Sequence, residues 1–194
     1  MEREKVSDII IERAVELWCR ALRKPKFDNG DNSDAGFFTT GLAYMNADTA
    51  AGETELDKAI ERFREALVTD MKFLRDHDGE PTGKQNEYGH PGTYYFEHDL
   101  STDYKPDKIL RRAADQAGIP HKLFSWKSSV NVYDPAAVCA KFGYAAPDFY
   151  HYPLSGGRWL ITQLRGRDMP LIIKAVEEGR LPEMHVEEPE AAYG

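Results

Sequence analysis

The chain has 194 residues, enough for one domain with its own core, and its 41% hydrophobic and 30% charged residues are those of an ordinary folded protein. Aromatic residues make up 11%, which separates it from disordered chains. A net charge of -8 argues against non-specific nucleic-acid binding, which rests on Lys and Arg displacing counterions, and no run of about 18 apolar residues is present to cross a membrane.

Residues 6–24 have the spacing of an amphipathic helix, with Val6, Ile9, Ile10, Ala14, Leu17, Trp18, Ala21 and Leu22 on one side and Pro25 as its stop. Its first apolar run, Ile9-Ile10-Ile11, is broken by Glu12 and Arg13, which is not the pattern of a secretory signal. Residues 26–36 collect Asp28, Asn29, Asp31, Asn32 and Asp34, yet an EF-hand counted from Asp28 would need Gly and Glu where Ser33 and Thr39 stand. A polar surface turn is the expectation there. Residues 37–45 read as a short helix. Leu56, Ala59, Ile60, Phe63, Leu67, Met71 and Leu74 then mark a long helix from 54 to 76, its apolar residues serving as core.

Residues 79–92 read as a loop, with Pro91-Gly92 as a turn signal. Residues 93–100 alternate as a strand, with Tyr94, Phe96, His98 and Leu100 on one face and Tyr95, Glu97 and Asp99 on the other. A helix over 106–117 starts at Pro106 and stops at Gly118. Residues 122–126 and 130–133 suggest a hairpin, and Asp134-Pro135 suggests the start of a helix running to Gly143. An aromatic loop over 144–157, a strand over 159–164 and a helix from Asp168 to Gly179 follow. The tail, 187–194, has too little apolar material to pack firmly.

These elements predict an α+β protein: a helical part over 1–78, a loop over 79–92 and a sheet-and-helix part over 93–182, forming a single domain. N-terminal helices would pack on a small, mainly antiparallel sheet with helices on one face. The order strand, helix, strand, strand, helix, strand matches the ferredoxin-like βαββαβ arrangement.

Candidate site residues concentrate in 88–104, which holds two of the six histidines and four of the ten tyrosines. Glu97 and Asp99, two apart on a strand, would stand about 7 Å apart and could share a divalent metal. Solvated strand faces also carry such pairs routinely. His90, in the loop Gly89-His90-Pro91-Gly92, is the better acid/base candidate, whereas His98 falls on the apolar face. Lys108, Arg111 and Arg112 make the helix over 106–117 a basic surface in an acidic chain, suited to a phosphorylated small molecule or an acidic protein. Tyr150, His151 and Tyr152, interleaved in sequence with Arg158, Arg165 and Arg167, form a second binding candidate. Cys19 and Cys139 fall in segments read as helices and have no partner at zinc-finger spacing, consistent with reduced thiols in a cytoplasmic protein.

The favoured function is a binding or regulatory protein that contacts a protein partner through its aromatic and basic C-terminal surface. The alternative is a small metal-dependent hydrolase acting on a phosphorylated substrate, with Glu97 and Asp99 on the metal and His90 as acid/base.

Overall fold

The computed structural model describes residues 5–23, 52–85, 88–132 and 136–189. The polar turn at 26–36 and the short helix expected over 37–45 lie outside them. Helix α1 spans Asp8–Arg23 and α2 spans Gly52–Asp76. In α2, Ile60, Phe63, Leu67 and Met71 recur at three- and four-residue spacing and are fully buried. They meet α1, whose Trp18 packs against Phe124 and Phe142 with ring centroids 5.7 and 5.3 Å apart. On its other flank α2 packs against α3, Lys108–Ala117. Asp107 caps α3 by accepting a hydrogen bond from the Leu110 amide, and Gly118 ends it in the left-handed conformation, at φ 76°.

Two antiparallel sheets complete the α+β fold. The smaller pairs β1, Pro81–Gln85, with β2, Pro91–Thr93, so part of the expected loop over 79–92 is a hairpin. The larger has six strands: β3 (Asp99–Thr102), β4 (Ser128–Asn131), β5 (Val138–Lys141), β6 (Phe149–Pro153), β7 (Trp159–Thr162) and β8 (Val186–Glu187). They lie side by side in chain order, each antiparallel to the next. A ferredoxin-like sheet would interleave its strands and pair some of them in parallel, so that expectation is replaced by a meander. Helix α4, Met169–Glu177, is inserted between β7 and β8.

Four further local expectations are corrected. The segment read as a helix after Asp134-Pro135 contains β5, because Val138 and Ala140 are buried in alternation and both neighbouring strands bond to it. Tertiary pairing outweighs the helix-start signal there. Residues 149–153, expected in a loop, form β6. The single strand read over 93–100 is divided. The Tyr94 amide donates to the Glu80 carbonyl and the Phe96 amide to Asp78, and pairing with β4 begins only at Asp99. Of the hairpin expected over 122–133, the first arm is instead a short 3-10 turn at His121–Leu123.

Register assigns the two faces of the larger sheet. Leu100, Val130 and Ala140 stand opposite one another across β3, β4 and β5, and this face packs against the helical core. Arg13 of α1, 2% exposed, enters the same face. Its Nη1 donates to Glu16 at 2.9 Å and to Glu187 at 2.8 Å, its Nη2 lies 3.0 Å from Nδ1 of His151, and its guanidinium sits 4.9 Å from the centre of the Trp159 ring. Arg20 also donates to Glu187, at 2.9 Å. Position 187, expected to begin a loose tail, is thus held by ion pairs in β8. The opposite face carries a second, smaller cluster in which Met169 and Val176 of α4 join Tyr152 and Leu160.

Candidate functional site

The face opposite α1 carries one continuous row of side chains. Asp99 pairs with Asn131, Asn131 with Cys139, Cys139 with Tyr150, and Tyr150 with Thr162. Residues directly opposite across antiparallel strands point to the same side, with Cα atoms about 4.5–5.5 Å apart. The row therefore places a carboxyl, an amide, a thiol, a phenol and a hydroxyl side by side. Tyr152, two residues beyond Tyr150 on β6, adds a second ring on this face, its centroid 6.3 Å from that of Tyr150 and inclined by 23°.

A cleft of about 700 Å³ opens over this row. Its floor is Asn131, Cys139, Tyr150 and Tyr152, and Met169, Pro170 and Ile173 form an apolar wall at the start of α4. The connection between β7 and α4 brings Arg165, Gly166 and Arg167 to the rim, where Asp148 also lies. Gly166, at φ 118°, adopts a backbone conformation that a side chain would strain, and this turn sets the two arginines on the rim. Arg165 Nη1 donates to the Tyr150 hydroxyl at 3.2 Å, and the Tyr152 hydroxyl donates to the Leu164 carbonyl at 3.3 Å. Both tyrosines are thereby fixed in place.

The electrostatics limit what the cleft can do. Burial pushes the Cys139 thiol up, against a smaller lowering effect of its hydrogen bond with Tyr150. A thiol held neutral in this way is not an activated nucleophile. Burial likewise raises the Asp99 carboxyl. Asp107, also raised by burial, is further raised by the charges of Glu97 and Asp99, although it accepts hydrogen bonds from the Leu110 and Ser101 amides. The Asp99 end of the row is therefore an acidic end, with Glu97 and Asp107 beside it. Two oxygens in the row, Asp99 Oδ1 and Asn131 Oδ1, are buried without a hydrogen-bond partner.

No protein-family model, curated protein or solved structure matches this chain. The site is accordingly read from its own chemistry.

The residues singled out in the sequence separate into several places. Tyr150 and Tyr152 line the cleft, together with Arg165 and Arg167. His151, between the two tyrosines, points to the opposite face and is 6% exposed. Burial, and then the neighbouring Arg13, lower its pKa to about 4, so it is neutral and accepts from Arg13. Arg158 is paired with Glu177 and also donates to Ser155, tying the turn before β7 to α4. Lys108, Arg111 and Arg112 belong to α3, which contributes nothing to the cleft; Arg112 pairs with Asp70 at 3.2 Å and Arg111 Nε donates to the Asp107 carbonyl. His90 lies in the turn between β1 and β2, in the smaller sheet, whereas Asp99 is in the larger. Among the described residues no group of three or more His, Cys, Asp or Glu side chains is placed to hold a metal. The structure does not gather His90, Glu97 and Asp99 into such a group.

Asn131 and Cys139 were missed. Cys139 lies in a segment that reads as a helix and is β5. Asn131 lies where the strand read over 130–133 overlaps β4, and the alternation Val130-Asn131-Val132 signals that its side chain faces away from the core.

Proposed function

We propose that this protein is a binding protein whose cleft takes a small anionic ligand with an apolar body. The observation that carries this reading is the pairing of an open aromatic and apolar cleft with two arginines at one rim. The volume falls in the range of small-molecule sites, and the composition fits them as well: apolar and aromatic walls with a few convergent polar groups. At the rim, Arg165 and Arg167 outnumber Asp148 and leave a net positive charge. Arg165 is already oriented by the Tyr150 hydroxyl, so its remaining N–H groups can receive a carboxylate or phosphate without first being ordered. Tyr150, backed by the buried Tyr152 ring, supplies the flat surface for the apolar body, at low entropic cost because it has only two side-chain torsions. The aromatic and basic C-terminal surface expected from the sequence is thus read as a concave site, and the ligand as small.

The test is calorimetric titration with octanoate, 3-phenylpropanoate and phenyl phosphate, repeated on the Arg165→Ala, Arg167→Ala double variant. At least one compound should bind the unaltered protein, and its affinity should drop by about tenfold or more in the variant, the worth of a charge-assisted hydrogen bond. Binding by none of the three, or equal binding by both proteins, would refute the proposal.

A further inference from the structure

The two ends of the cleft are chemically opposite. Asn131, on the floor, stands at the end away from the arginine-bearing rim, and its cross-strand neighbour Asp99 continues the row beyond it. Each has an Oδ1 atom buried without a donor. Leaving a buried acceptor unpaired costs roughly 1–3 kcal/mol, and more when the group is charged, so paired orphans on one face mark a place where a donor is wanted. The charges of Glu97 and Asp99 both reach the Asp107 carboxyl, so this end of the row is acidic and a cationic donor is the better match. Sheet geometry sets the span: Asn131 is on β4 and Tyr150 on β6, two strands over, hence about 10 Å. Arg165 is held at the Tyr150 hydroxyl.

Resting on the anion-binding reading above, we infer that the ligand is an elongated zwitterion, with an acid group at Arg165 and Arg167 and an amine at Asn131 and Asp99. The hydrocarbon or peptide body between them would lie over Tyr150 and Tyr152 and against Met169, Pro170 and Ile173. An α-amino acid is too short, because its amine and acid are attached to the same carbon. Chains that separate the two groups by about 10 Å fit, among them longer ω-amino acids and short extended peptides with free termini. The raised Asp99 pKa agrees with this assignment, since an ammonium group would stabilise the carboxylate that burial disfavours.

Octanoate and 8-aminooctanoate test the inference, because they share chain and acid group and differ by the terminal amine. At pH 7 the amino compound should bind at least about tenfold more tightly, the effect of one charge-assisted hydrogen bond. Asp99→Asn and Asn131→Ala should each reduce that advantage, while octanoate binding, which also reports that each variant is folded, should persist. Equal affinity of the two compounds for the unaltered protein would overturn the inference and leave the anion-binding proposal standing. It would mean that the Asn131 amide turns to donate to Asp99 and needs no ligand. An advantage that survives both substitutions would overturn the placement of the amine. Failure of both compounds to bind would overturn the inference as well, and the two shorter probes would then decide separately whether the cleft binds anions at all.

Discussion

His151 makes a specific demand on how stability varies with pH. Buried beside Arg13, it accepts a hydrogen bond through Nδ1, and protonation there would set a cation against a cation. Its folded-state pKa of about 4 lies below the ordinary value of 6.5. The unfolded chain therefore binds more protons between these values, and stability falls as pH falls through that window. Above about pH 7 the effect vanishes. Between pH 7 and pH 5 the loss from this one group is about 2 kcal/mol. For a chain of this size that is a fall in melting temperature of about 4–8 °C. The informative comparison is His151→Asn, in which the amide oxygen can take the place of Nδ1 but cannot titrate. Thermal denaturation followed by circular dichroism should show the unaltered protein losing stability from pH 7 to pH 5 and the variant holding nearly level. Parallel decline of the two curves would refute the reasoning, because it would place the acid-sensitive group elsewhere.

Two further outcomes are expected. Phe63→Ala removes a fully buried ring that packs on Phe124 at 5.8 Å, and chemical denaturation should show a loss of about 3–5 kcal/mol, with unchanged stability counting against the assigned core. Because no group of three or more metal-ligating side chains is gathered among the described residues, millimolar Mn²⁺ should leave the melting temperature unchanged. A rise in the unaltered protein that disappears in a Glu97→Gln, Asp99→Asn variant would instead favour the metal-dependent hydrolase.

The elements legible in the sequence were those that carry their own punctuation. Helix α2 repeats its apolar residues over about five turns, α3 has Pro106 in front and Gly118 behind, and β7 is a plain apolar run. The strands that escaped are four or five residues long, too few for periodicity to distinguish from a helical turn, and they exist because their neighbours pair with them. Val138-Cys139-Ala140 has no local reason to be extended that outweighs the helix-start signal at Asp134-Pro135. The site suffered most from this. Tyr150 and Tyr152 stood out by residue type, but their relation to Asn131 and Cys139 depends on register across three strands, which no single segment encodes. Facing was equally hidden at His151: the residue type suggested a binding surface, whereas alternation within β6 turns it towards Arg13.

The Arg13 to Glu187 contact joins residues 174 positions apart and ties α1 to a sheet whose strand pairings all link strands adjacent in order. During synthesis the helix that carries Arg13 leaves the ribosome early, and β3 to β7 can zip together one after another as they emerge. The guanidinium then waits for its carboxylate, roughly ten to thirty-five seconds at ordinary elongation rates. Until Glu187 arrives, docking α1 on the sheet would bury this cation against Glu16 of its own helix alone, so β8 supplies the second carboxylate that completes the neutralisation of Arg13.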